Sequence, residues 1–185
     1  MPSQRGAINS KGLGKNLTLC FWNIAFMSKK VVIFIDGNNF YYGLKDHDLP
    51  TNIKFDKLGK KLCSKYGELM RIYYYNVPID QFKEPDRYRR QQKFFDQLYR
   101  TPYLEVRLGR LVKRGDTYVE KGVDVLLSVD MIKKAFQNQY DIAILISGDG
   151  DFAHAVSVVK DQGKHVINAC FDLGRSRQLL QVCDD

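Results

Sequence analysis

Two short apolar runs stand out in the hydrophobic pattern of the chain, Val31-Val-Ile-Phe-Ile35 and Ile142-Ala-Ile-Leu-Ile146. Each is too short for a buried helix and rich in β-branched residues, so both read as strands of a parallel sheet covered on both faces. Leu69–Val77 is strand-like by its aromatic and β-branched content, and His165–Phe171 reads as a further buried strand. Tyr103–Val112 alternates, with Leu104, Val106 and Leu108 on one side and Tyr103, Glu105 and Arg107 on the other. Lys113–Asp116 reads as a turn, from which Thr117–Val119 returns as a short hairpin strand.

Between these strands the apolar spacing lengthens to that of helices. Phe40–Leu44 opens one, and Phe55–Tyr66 is another, with Gly67 placed to end it. Asp80–Asp86 reads as a loop. Arg87–Arg100 then carries an apolar stripe of Tyr88, Phe94, Phe95, Leu98 and Tyr99, opposite a basic face. Val123–Phe136 is amphipathic, Phe152–Gln162 ends at Gly163, and a last helix is expected from Leu173 to the end, with the chain stopping in mid-helix. Strands alternating with helices predict one α/β domain with a mainly parallel sheet. It spans residues 31–185, behind an N-terminal extension, 1–30, expected to be flexible. Residues 1–26 are Gly/Ser/Asn/Lys-rich and then briefly apolar, without periodicity. Met27 is a candidate natural start; the alternative is a partner-docking arm through Phe21 and Trp22.

Composition narrows the class. With 185 residues, 44% hydrophobic and 27% charged, the chain can bury a sizeable core, which excludes a disordered or fibrous protein. Lys+Arg 29 against Asp+Glu 21 gives +8, which favours nucleic acid or another polyanion as partner. Cys20, Cys63, Cys170 and Cys183 lack CxxC spacing and read as reduced packing residues, in keeping with a cytoplasmic location. Leu17–Met27 is too short for a membrane span and lacks a cleavage site, so neither a membrane segment nor a signal peptide is expected.

The chemistry lies where the apolar runs stop. Asp36-Gly37-Asn38-Asn39 follows the first run and Ser147-Gly148-Asp149-Gly150-Asp151 the second. If the strands are parallel neighbours, these ends converge on the edge where open α/β sheets bind ligands. Asp124 joins them from the first turn of its helix. Singly, each acid has a plain reading: an Asp-Gly turn for Asp36, a helix-start acid for Asp124, a polar loop for Asp149 and Asp151. Together they repel, and the placement makes sense around a cation. The doubled glycine implies unusual φ or a close ligand approach. Mg2+ or Mn2+ takes carboxylate oxygens while keeping waters, and such an ion supports phosphodiester hydrolysis. Asn39 and Ser147 are suited to supporting roles, or are turn and capping residues.

Three motifs resemble those of the NYN domain family, the LabA-like branch of the PIN-like nucleases: Ile35-Asp36-Gly37-Asn38-Asn39, Lys121-Gly122-Val123-Asp124 with Asp130 beyond it, and Ser147-Gly148-Asp149-Gly150-Asp151-Phe152. The resemblance covers about Val31 to the end. It implies a Rossmann-like three-layer α/β/α sandwich and metal-dependent RNA cleavage, with Asp36, Asp124, Asp149 and Asp151 as metal-binding acids. Asn39 and Ser147 would support them. Asp130 also matches, but it stands roughly 240° round the helix from Asp124, which favours an indirect or structural role.

Candidate RNA contacts are Arg87, Arg89, Arg90 and Lys93 on one helix, and Arg107, Arg110, Lys113, Arg114 and Lys121 around the hairpin; the plain alternative is a solvated face. Tyr41 and Tyr42 are placed to stack on a base, and His154 reads as structural. The expectation is an endoribonuclease acting on RNA; the alternative is an RNA-binding or regulatory module with little or no turnover. A haloacid-dehalogenase-type phosphatase would need an acid where Asn38 stands. The oligomeric state is left open, a homodimer included.

Overall fold

The computed structural model describes residues 28–114 and 117–185, with only the backbone described for residues 113, 114 and 117–120. The expectations for residues 1–27 and for the turn at Gly115-Asp116 fall outside the described residues.

In chain order the strands are β1 (Lys30–Asp36), β2 (Glu68–Asn76), β3 (Leu104–Leu108), β4 (Arg110–Arg114), β5 (Thr117–Lys121), β6 (Ile142–Ile146) and β7 (His165–Asn168). The helices are α1 (Gly37–Asp46), α2 (Phe55–Cys63), α3 (Pro85–Tyr99), α4 (Val123–Phe136), α5 (Ala153–Asp161) and α6 (Arg177–Val182). Five strands pair in parallel in the order β3-β2-β1-β6-β7.

Both faces of this sheet are covered, which is why its central strands read as unbroken apolar runs. Val31, Ile33 and Ile35 of β1 join Ile142, Ile144 and Ile146 of β6 on one face, under Phe40 and Leu44 of α1, Phe55 of α2, and Phe95 and Leu98 of α3. Val32, Phe34, Ala143 and Leu145 point the other way, onto Leu127 and Met131 of α4, Val156 and Val159 of α5 and Leu179 of α6. The protein is thus a Rossmann-like three-layer α/β/α sandwich with a parallel sheet. Among the described residues no helix is long and apolar enough to cross a membrane.

Four elements depart from expectation. The stretch 103–112 is two strands, not one: Tyr103 takes a left-handed φ of 62°, β3 starts at Leu104, and the ladder breaks at Gly109. Gly109 donates to the Asn76 carbonyl at 2.8 Å, and a Cβ there would lie 2.8 Å from Val123 and 2.9 Å from the Lys121 carbonyl oxygen. β4 then leaves the main sheet to pair antiparallel with β5. α3 starts at Pro85 rather than Arg87, since proline suits a first helical turn.

The last helix covers only Arg177–Val182 and does not run to the end. Ser176 caps it, and the residues after it turn back along β7: Asp184 donates to Val166 O and Asn168 to Asp185 O, both at 2.8 Å. β7 also stops at Asn168, short of the expected Phe171.

From β1 the sheet grows through β2 to β3 on one side and through β6 to β7 on the other. The strand order therefore reverses between β1 and β6, and a crevice outside the carboxyl ends of these two strands is where such sheets take ligands.

Candidate functional site

Asp36 closes β1 at that crevice and is buried, 6% exposed. Its Oδ1 accepts the Asn39 N–H at 3.1 Å, capping α1, and its Oδ2 accepts the Ser147 hydroxyl at 3.2 Å. The buried Ser147 oxygen in turn accepts the Asp149 N–H at 3.1 Å. Asn39 Oδ1 accepts the Gly148 N–H at 2.9 Å, and Asp149 Oδ1 accepts the Asp151 N–H at 3.0 Å. The start of α1 and the loop after β6 are thereby tied into one unit. Asp124 arrives from the opposite layer: Gly122, at a left-handed φ of 87°, turns β5 into α4 and places Asp124 in the first turn.

Two of the four acids, Asp36 and Asp124, have a raised pKa. Burial raises the pKa of Asp36; the Asn39 N–H and the Ser147 hydroxyl pull it down, and the charges of Asp124 and Asp149 push it up. Burial likewise raises Asp124, helped by Asp149 and Asp151. Asp36 and Asp124 line one cleft of about 230 Å³, together with Asn38, Asn39, Tyr42 and Lys121.

The glycines of Ser147–Asp151 have a different cause from the one expected. Neither Gly148 nor Gly150 takes a positive φ. A Cβ on Gly148 would lie 2.3 Å from the Gly174 carbonyl oxygen, and one on Gly150 would lie 2.8 Å from Ser176 Oγ. The protein's own chain, not a ligand, makes the close approach.

Other expected residues lie elsewhere. Asp130 accepts the Tyr75 hydroxyl at 3.0 Å and stands 3.9 Å from Arg107 Nε, away from the cleft. Arg107 also bonds Glu105 at 2.9 Å and lies over the Tyr73 ring, so the fold itself engages it. Arg89 pairs with Asp86, and Arg110 and His154 are exposed on β4 and α5. Lys113 and Arg114 are on β4, their side chains outside the described residues. Arg87, Arg90 and Tyr41 line a second, larger groove beside the cleft. Asn38, shared by cleft and groove, was missed as a site residue; its place between Asp36 and Asn39 at a helix start was the available signal.

The acidic donors around the cleft are carboxylate oxygens, which match a hard divalent cation. Among the described residues no three His, Cys, Asp or Glu groups close around an ion by themselves. An ion held there by these residues would have to complete its coordination with water.

Fold and cleft together define a Rossmann-like α/β/α protein with an acidic site at the switch point of its sheet. The chain belongs to the NYN domain family, whose model matches residues 30–185. It is similar to Low amplitude and bright protein LabA of Synechococcus elongatus, 27% identical over 172 residues, covering 87% of this chain and 84% of the relative. A crystal structure of a protein of unknown function from Vibrio parahaemolyticus shares the fold, with TM-score 0.68 at 24% identity, over 86% of this chain and 91% of that one. A structure of T5 5'-exonuclease with zinc bound aligns at TM-score 0.44 and 17% identity, over 82% of this chain and 60% of that one, too remote a likeness to bear on this site.

Proposed function

We propose that this protein is a metal-dependent endoribonuclease whose metal-binding acids are Asp36, Asp124, Asp149 and Asp151. Membership of the NYN family supports a nuclease-type role. The observation that carries the reading is the convergence of Asp36 and Asp124 on one cleft at the switch point, with the charges of Asp149 and Asp151 near enough to be felt at Asp124. Bound there, Mg2+ or Mn2+ would supply a metal-activated water and neutralise charge on the phosphoryl group. Ser147 and Asn39 hold Asp36 and the loop after β6 in place, and Lys121 at the cleft rim offers a cation to a phosphate.

A second reading has its own observation: without three acids closing on one point, the cleft also suits an RNA-binding or regulatory module of low turnover. One assay separates the two. Structured and single-stranded RNA are incubated with EDTA, Mg2+ or Mn2+, beside the Asp149→Asn protein. Cleavage that needs the cation and disappears in the variant supports the nuclease; binding without cleavage under all conditions supports the regulatory module.

A further inference from the structure

We propose that the groove beside the acidic cleft is a subsite for one unstacked base of a single RNA strand, with an adjoining phosphate held by Arg90. The groove has a volume of about 780 Å³, within the roughly 300–1,000 Å³ of small-ligand sites. It lies between α1, α3 and the carboxyl end of β2, and it shares Asn38 and Tyr42 with the cleft. A strand whose phosphate reaches the acids would therefore pass directly over it.

Its lining supplies both parts a nucleotide needs. The floor is Tyr74, buried and held edge-on by Phe55 at 5.4 Å and by Phe94 at 5.6 Å. Tyr42 stands at the rim, 51% exposed, where a base can stack on its ring. Arg87 Nη1 donates to Glu84 at 2.5 Å, whereas Arg90 is exposed and makes no ion pair among the described residues. No acidic side chain lines the groove, while Lys45, Arg87 and Arg90 do. That balance suits a polyanion and disfavours an acidic peptide less than a basic one, so the aromatic faces decide for nucleic acid over peptide.

The wall is also held in place. Gln91 Nε2 donates to the Val77 carbonyl at 2.9 Å and its Oε1 accepts the Ile79 N–H at 2.8 Å, fixing α3 to the end of β2. A preformed slot with an exposed ring favours a base already out of a stack, and a base paired within a duplex has no free face to offer.

The subsite rests on RNA being the substrate, but not on its cleavage, so it is tested in EDTA. Fluorescence anisotropy measures binding of a labelled single-stranded RNA octamer and of the same sequence annealed in a duplex. Tyr42→Ala should weaken single-strand binding roughly 5- to 150-fold, the range for losing one base–aromatic stack. Tyr42→Phe should restore it, and duplex binding should change little with either. Arg90→Ala should flatten the slope of log affinity against log salt by about 0.7 on the single strand. Unchanged single-strand binding in Tyr42→Ala, equal loss on single strand and duplex, or tight Tyr42-dependent binding of a peptide instead of RNA would overturn the proposal. Each of those outcomes leaves Mn2+-dependent cleavage to be judged by its own assay.

Discussion

The Ser147 hydroxyl donates to Asp36 Oδ2 at 3.2 Å, joining the ends of two parallel strands across 111 residues of sequence. The same oxygen accepts the Asp149 N–H, so one hydroxyl sets both the first acid and the loop that carries the next two. A serine at this point is a cross-strand tie and not only a turn residue.

Ser147→Ala removes a donor from a buried carboxylate and an acceptor from Asp149 N–H. Leaving buried polar groups without partners costs about 1–3 kcal/mol. Tm in EDTA at pH 7 should fall by several degrees; an unchanged Tm would mean the tie contributes nothing to the fold.

Gly148 and Gly150 should respond differently to alanine. At Gly148 the new Cβ meets backbone, the Gly174 carbonyl at 2.3 Å, and one of two chain segments has to move. At Gly150 it meets the side chains of Ser176 and Gln178, which can rotate away. Overpacking of the first kind costs typically about 1–3 kcal/mol. Thermal melts should rank Gly148→Ala well below Gly150→Ala, and equal losses would contradict this account.

The central strands were legible because burial on both faces leaves an apolar run that only a covered strand explains. That β1 and β6 are parallel neighbours was an assumption about topology; the observed register, Val31↔Ile142 to Ile35↔Ile146, supplies what brings Asp36 and Ser147 together. The break at Gly109 was not legible, because alternation continues across it while the pairing partner changes. Nor was the cause of the paired glycines, since the chain they touch is more than twenty positions away in sequence. The groove was not legible in the sequence because its lining is drawn from four separate elements, α1, α2, β2 and α3, and the loops between them.

Lys121 lines the cleft three residues before Asp124 and is exposed, so its charge is available to a phosphate. Lys121→Ala should weaken RNA binding about equally for all sequences and reduce the salt slope by about 0.7 on a single strand. Binding isotherms at several salt concentrations check this, and an unchanged slope would exclude a phosphate contact.

Asp184 should give the protein part of its acid sensitivity. Burial tends to raise its pKa, but Lys160, at 2.8 Å, and the Val166 N–H, also at 2.8 Å, together bring it below the usual value. A depressed folded pKa stabilises the fold above the unfolded pKa of 3.8, and that contribution fades as pH falls through the folded value. Asp184→Asn should therefore lower stability at pH 7, by up to about 1 kcal/mol. The gap from wild type should close below pH 4 in urea melts; a constant gap would assign the effect to packing.

Burial first, and then the charges of Asp149 and Asp151, push the Asp124 pKa up, so the charged cluster opposes folding through both desolvation and repulsion. A divalent cation bound by the folded state should raise Tm by mass action. Asp151 is exposed, and its backbone N–H, not its carboxylate, makes the bond to Asp149. Asp151→Asn therefore keeps the loop while removing one charge and one strong ligand. The variant in EDTA should be as stable as wild type or more so, its gain in Tm on adding millimolar Mn2+ should shrink, and RNA cleavage should fall by orders of magnitude. A purely structural loop would respond the other way, losing stability in EDTA and keeping its response to Mn2+. Melts of both proteins with and without Mn2+ decide between them, and equal gains would remove Asp151 from the metal site.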